Sequence, residues 1–280
     1  MLTNLNRLNL RIILRPAVWP VVWLSALLIS SAAAADLAVF VHGYQSGGNT
    51  WRMHGIIPAL VSHGWKDSGT YYPTPYSVVH DGQALEANSL VTVELPSEAP
   101  VEIQAGLLQM YLQDIVSQRP DQSIRLIGHS AGGIVSRLVL VGNPDLPVKQ
   151  LITIATPHMG SPVAEMAEMA AKTPITLLTD ITGFDDLNHR SKHLYSQLGR
   201  EKENYFLFWL NRQPHPDIDY VAIVRADGSL LKGDVAVPPP SQDMRRVPTI
   251  GNKARIILTP GKHKLKYQDG LLILPLLNEG

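Results

Sequence analysis

Residues Gly128 to Gly133 read Gly-His-Ser-Ala-Gly-Gly, between the apolar run Ile124 to Ile127 and the helix-like Ile134 to Val141. A serine on such a strand-to-helix turn stands clear of the sheet, because glycine neighbours let adjacent backbone pass closely. At the N-terminus of the following helix it also meets a field that favours developing negative charge. Ser130 is therefore the candidate nucleophile of an acyl transfer, and a structural glycine turn is the bland alternative. A second glycine-bearing loop, His42-Gly43-Tyr44-Gln45-Ser46-Gly47-Gly48, leaves the apolar run Leu37 to Val41. A tetrahedral intermediate needs two donors for its oxyanion, so the backbone N–H groups of Tyr44 and Ala131 are the candidate oxyanion hole. The loop matches neither the Walker nor the dinucleotide glycine spacing. A plain strand-to-helix turn or a phosphate-binding loop is its other reading.

These residues need a scaffold, and the hydrophobic pattern supplies one. Leu37 to Val41, Leu90 to Leu95, Ile124 to Ile127, Leu151 to Ile154, Tyr220 to Val224 and Ala254 to Leu258 are short apolar runs bounded by Gly, Pro or polar residues, as buried strands are. Between them lie helical patterns, clearest at Val101 to Val116, where Leu107, Leu108, Tyr111, Leu112 and Ile115 recur at spacings of three and four. Alternating strands and helices predict an α/β fold: a mostly parallel central sheet with helices on both faces. The stretch 159–216 breaks this rhythm with helix-like pieces at Val163 to Lys172 and His189 to Gly199, and reads as an inserted helical cap. Its Met166, Met169, Leu177 and Leu178 fit packing on the sheet and a substrate-facing lid equally well.

With both loops in place, the chain resembles the α/β hydrolases, and among them the lipase-like group. The likeness rests on the HGYQSGG loop, the GHSAGG turn, and Ala155-Thr156-Pro157-His158-Met159-Gly160-Ser161, which looks like the T-P-H-x-G-S segment of bacterial lipases. It is also similar to deacylases that remove acyl chains from glycolipid anchors. The resemblance implies a Ser, acid, His triad in that chain order. His263, in the loop after the last candidate strand, is then the base. Asp234, in Gly233-Asp234-Val235-Ala236-Val237-Pro238, looks like the acid of the family's D-G-x-V-P segment, although Val235 stands where glycine is usual. Asp227, followed by Gly228, is the rival, with Asp180, Asp185 and Asp186 further behind. His42, His129 and His158 read as structural or pocket-lining residues.

Composition narrows the remaining classes. The 280 residues are 45% hydrophobic and 17% charged, with 24 basic and 24 acidic side chains, which is globular composition without the basic footprint of nucleic-acid binding. The absence of cysteine excludes disulfides, thiol nucleophiles and Cys-ligated metals. Neither an H-E-x-x-H motif nor an EF-hand loop occurs, so no metal or other cofactor is implied, with a structural calcium left open. Arg7, Arg11 and Arg15 before the apolar run Ala17 to Ile29, then small residues to Ala35, read as a secretory signal over 1–35, with an uncleaved anchor as the alternative. Residues 36–280 then form a single mildly acidic domain. The expectation is a secreted or periplasmic serine hydrolase of carboxylic esters of lipid-like acyl chains, with possible membrane-surface contact. Acyl transfer or thioester hydrolysis on the same residues, and a non-catalytic binding protein of this fold, are the rival readings.

Overall fold

A computed structural model describes residues 36–164, 184–227 and 233–279, with backbone alone for 184–190. The chain divides into two compact units, Met1–Ala32 and Ala33–Gly280, and every described residue belongs to the second. The expected signal segment and most of the expected cap core, including Met166, Met169, Leu177, Leu178 and Asp180, lie outside the described residues.

In chain order the described elements are β1 (Asp36–Val41), α1 (Thr50–Met53), α2 (Ile56–Val61), β2 (Lys66–Pro73), β3 (Val78–Asp81), β4 (Ser89–Val93), α3 (Val101–Gln118), β5 (Ser123–His129) and α4 (Ala131–Gly142). There follow β6 (Val148–Ile154), α5 (Phe184–Leu198), α6 (Phe206–Leu210), β7 (Asp219–Arg225), α7 (Pro239–Gln242), β8 (Ala254–Thr259) and α8 (Tyr267–Leu277). The strands form one sheet in the order β3-β2-β4-β1-β5-β6-β7-β8, parallel throughout except for the β2–β3 pair at one edge. The six apolar runs correspond to β1 and β4 to β8. Strand β3, at the sheet edge, and its neighbour β2 escape the sequence reading because both carry exposed polar residues, such as Lys66 and Asp67 in β2 and Asp81 in β3, that break up the apolar signal.

Burial explains the unbroken apolar runs. All six residues of β1 are buried, and its side chains alternate between two cores. Leu37, Val39 and Val41 join Leu108, Tyr111 and Leu112 of α3 and Ile134 and Val135 of α4. Ala38 and Phe40 join Trp51, Ile56, Leu60 and the α8 residues Ile273 and Leu276 on the other face. Each fully buried Leu or Ile contributes about 1.5–3 kcal/mol relative to exposure. The sheet is thus fixed from both sides, and its parallel strands send their C-terminal loops to one edge, where a ligand site is expected. No helix among the described residues is long and apolar enough to cross a membrane.

Candidate active site

At that edge Ser130 links β5 to α4 with φ 52° and ψ −126°, a conformation that costs a non-glycine residue about 1–3 kcal/mol. The strain is held on both sides: the Ser130 N–H donates to the Ile154 carbonyl at 2.9 Å, and its own carbonyl accepts from the Gly133 N–H at 3.1 Å. Gly132 cannot be replaced here, since a Cβ would lie 2.4 Å from the carbonyl oxygens of both Val41 and His42. The motif thus packs the start of α4 against the end of β1 and lifts the serine hydroxyl into the open edge.

His263 reaches this hydroxyl from the loop between β8 and α8. The Ser130 Oγ–H donates to His263 Nε2 at 2.8 Å, and His263 Nδ1–H donates to Asp234 Oδ2 at 2.6 Å. Asp234 is buried, and its other oxygen accepts the backbone N–H groups of Ala236 and Val237 at 2.9 and 3.2 Å. Asp227 is exposed and does not meet His263. It accepts the Gly261 N–H at 3.2 Å, and so anchors the loop that carries the histidine. Asp185 and Asp186 fall on the α5 backbone.

Among the described residues, the backbone N–H groups of Tyr44 and Ala131 have no hydrogen-bond acceptor. Tyr44 follows the end of β1 and Ala131 opens α4, so both belong to elements that converge on Ser130. A cavity of about 660 Å³ opens over Ser130 and His263, with Tyr44, Tyr195 and Leu198 among its walls. The Tyr44 and Tyr195 hydroxyls are hydrogen-bonded and their rings meet edge to face at 5.5 Å, tying the loop after β1 to α5. A nucleophile, a base, an orienting carboxylate and free N–H donors around one cavity are the parts that acyl transfer needs.

Comparison with known proteins agrees with this architecture. Residues 97–173, which carry the Ser130 turn, match the PGAP1-like alpha/beta domain. Over 72 residues the chain is 38% identical to triacylglycerol lipases of Pseudarthrobacter phenanthrenivorans and Burkholderia plantarii. That match takes in 26% of this chain and only 22% and 20% of theirs, so it spans about a fifth of each relative's length. The mature form of a Bacillus licheniformis lipase superposes with a TM-score of 0.58 at 20% identity, covering 88% of this chain and 91% of that one. The product of a Listeria innocua gene gives 0.58 at 14% identity, with 87% and 94% covered. The chain has the α/β-hydrolase fold and is similar to lipases over part of its length.

Four further residues hold the site; His129 lies within the serine motif and reads as structural from sequence, whereas Gln242, Arg225 and Asp269 carry no motif that sequence reading could use. Gln242 on α7 donates from Nε2 to Asp234 Oδ2 at 3.2 Å and to the Val237 carbonyl at 2.6 Å, while its Oε1 accepts the Arg225 N–H at 2.8 Å. Arg225, the last residue of β7, grips Asp269 of α8 with two hydrogen bonds of 2.7 and 2.6 Å, and both side chains are fully buried. Its guanidinium also reaches the Lys264 carbonyl, next to the base. His129, beside the nucleophile, donates from Nε2 to the His263 carbonyl at 2.9 Å. Burial first, and then the nearby His263, push its pKa down to about 3, so it acts as a neutral strut.

The T-P-H-M-G-S segment has a comparable role. His158 is fully buried between Thr153 Oγ1, 3.1 Å from Nε2, and the Arg137 guanidinium, 3.4 Å from Nδ1. Ser161 Oγ donates to the Ala236 carbonyl at 2.7 Å and joins this segment to the acid loop. Among the described residues no group of three or more His, Asp or Glu side chains could hold a metal ion.

Proposed function

We propose that this chain hydrolyses carboxylic esters of lipid-like acyl chains through an acyl-Ser130 intermediate. The observation that carries the reading is the continuous path from Ser130 Oγ through His263, 2.8 Å away, to Asp234, 2.6 Å further on. His263 removes the serine proton as Oγ attacks the ester carbonyl, and Asp234 holds the ring with Nε2 free to receive it. The Tyr44 and Ala131 amides receive the oxyanion, where one such donor stabilises the transition state by about 3 kcal/mol. His263 then returns the proton to the departing alkoxide, and a water deprotonated by the same ring releases the acid. The apolar part of the cavity and the likeness to lipases favour acyl chains over peptides. The basic then apolar segment of residues 1–35 favours a secreted or periplasmic protein, which cell fractionation tests.

The first experiment is hydrolysis of p-nitrophenyl esters from acetate to palmitate, with Ser130→Ala as the control. Turnover that rises with chain length and vanishes in Ser130→Ala supports the reading. Short-chain preference reduces it to an esterase with a narrow pocket. Absence of Ser130-dependent turnover overturns it, and failure of a fluorophosphonate to label Ser130 leaves a non-catalytic binding protein.

A further inference from the structure

The loop that carries the Tyr44 N–H is held from behind by a carboxylate that takes no part in the triad. This loop leaves β1 at His42 and reaches α1 at Thr50. Its first residues lie against the nucleophile, since a Cβ on Gly43 would stand 2.8 Å from Ser130 Cβ and 3.0 Å from the His129 carbonyl oxygen. His42 fixes that end as a ring that burial keeps neutral: Nδ1–H donates to the Gly43 carbonyl at 3.0 Å, and Nε2 accepts the Leu95 N–H at 3.0 Å. The far end is fixed by Glu94, the residue after β4, whose Oε2 accepts the Gly48 N–H at 2.7 Å. Glu94 is itself anchored, its N–H on the Tyr71 carbonyl at 2.8 Å and its carbonyl on the Tyr111 hydroxyl at 2.8 Å. Glycine permits the approach: a Cβ on Gly47 would lie 3.0 Å from both Glu94 carboxylate oxygens.

Between these two fixed ends stand Tyr44, Gln45 and Ser46. A donor for an oxyanion has to be held within about 0.5 Å of its productive place by groups that are themselves fixed. We infer that Glu94 is a positioning residue of the oxyanion hole: by holding Gly48 it keeps the Tyr44 N–H where the transition state requires it. The inference rests on the proposed acyl-serine reaction and adds a residue to it. Glu94 is not among the residues that line the cavity, so it acts through the loop and not on the substrate. A carboxylate suits this task, because its hydrogen bond to a backbone N–H is roughly twice as strong as one from a neutral acceptor. Its effect falls on kcat, since the oxyanion forms in the transition state and is absent from the bound ester.

The test uses the full-chain protein, the p-nitrophenyl ester it turns over fastest, and a trifluoromethyl ketone of the same acyl chain, which forms a tetrahedral adduct on Ser130. Each variant is assayed at a temperature where circular dichroism shows it fully folded. Glu94→Ala is expected to lower kcat about tenfold or more with KM within about twofold, and to weaken ketone inhibition by the same factor as kcat/KM. Glu94→Gln, whose Oε1 still accepts the Gly48 N–H, is expected to keep kcat within about threefold. Gly47→Ala presses a methyl against the carboxylate, and is expected to reproduce the loss in the native chain but to add less than about twofold to Glu94→Ala. Where Glu94→Ala fails to fold, the kcat and ketone readings of Gly47→Ala decide instead. An unchanged kcat, a lowered kcat with undiminished ketone inhibition, an equal loss in Glu94→Gln, or full additivity with Gly47→Ala overturns this inference while Ser130-dependent turnover stands. Absence of Ser130-dependent turnover in the native chain overturns the hydrolase reading with it.

Discussion

Acidification from pH 7 to pH 5 is expected to destabilise the fold well before its carboxylates titrate. The cause is a set of histidines kept neutral by burial. The His129 pKa is pushed down to about 3 and that of His158 well below 6.5, in each case first by burial and then by a neighbour, His263 for the first and the Arg137 guanidinium for the second. His42 and His215 are shifted the same way, His215 to about 4. For a group whose folded pKa is depressed, stability is present above the unfolded value of 6.5 and is lost as pH falls toward the folded one. At pH 5 the unfolded chain binds protons that the fold refuses, which costs about 2 kcal/mol for each fully buried histidine. His129 and His158 together therefore remove about 4 kcal/mol, a large share of a typical stability of about 5–15 kcal/mol. The loss corresponds to a Tm lower by about 8–16 °C for a chain of this size. Among the described residues the lowered carboxylates, Asp67, Glu86, Asp217 and Asp243, act below about pH 4.5 and leave this window to the histidines. Calorimetric scans at pH 7, 6 and 5 at fixed ionic strength measure the effect, with His158→Gln removing one titrating group. A Tm that moves less than about 3 °C between pH 7 and 5, or a His158→Gln slope equal to that of the native chain, refutes the reasoning.

Three substitutions test how the site is held. Asp234→Asn is expected to lower turnover by about 10³-fold or more with the fold intact by circular dichroism, whereas Asp227→Asn loses only a loop contact and changes turnover by less than about threefold. Gln242→Leu removes a donor from Asp234 Oδ2, the oxygen that also receives His263. It is expected to lower kcat about tenfold with KM within about twofold, read from steady-state kinetics. Arg225→Met leaves Asp269 buried and uncompensated, and is expected to cost about 3–5 kcal/mol in urea unfolding, most of it regained in the double variant Arg225→Met with Asp269→Leu.

The Ser130 turn was legible in the sequence because its geometry is local. Six consecutive residues fix the turn, and the apolar runs on either side announce the strand and helix it joins. The choice between Asp234 and Asp227 was not local. Ala226 and Gly233 form an antiparallel bridge, and the Asp234 N–H returns to the Arg225 carbonyl at 3.3 Å, so the loop doubles back and brings Asp234 to the end of β7. Gly233 makes this possible: its φ is 148°, and a Cβ there would lie 2.2 Å from the Arg225 carbonyl oxygen. The glycine that matters precedes the acid, so Val235, exposed to solvent, meets no obstacle in the place where the lipase-like pattern has glycine. Strands β2 and β3 were illegible for a different reason, since half-exposed strands carry little hydrophobic signal.

Arg225 accounts for what no motif announced. Its carbonyl receives Asp234, its N–H is held by Gln242, and its guanidinium binds Asp269 and reaches the Lys264 carbonyl. The acid loop and the base loop therefore hang from one residue at the end of one strand. That strand pairs with β6, whose last residue, Ile154, receives the N–H of Ser130. Sheet register thus sets where acid and base stand relative to the serine, and side chains make the final adjustment. A buried ion pair at this junction gives little net stability, because desolvation offsets most of its attraction. Its directional hydrogen bonds to fixed partners instead confine His263 to the position from which its ring meets both Asp234 and Ser130.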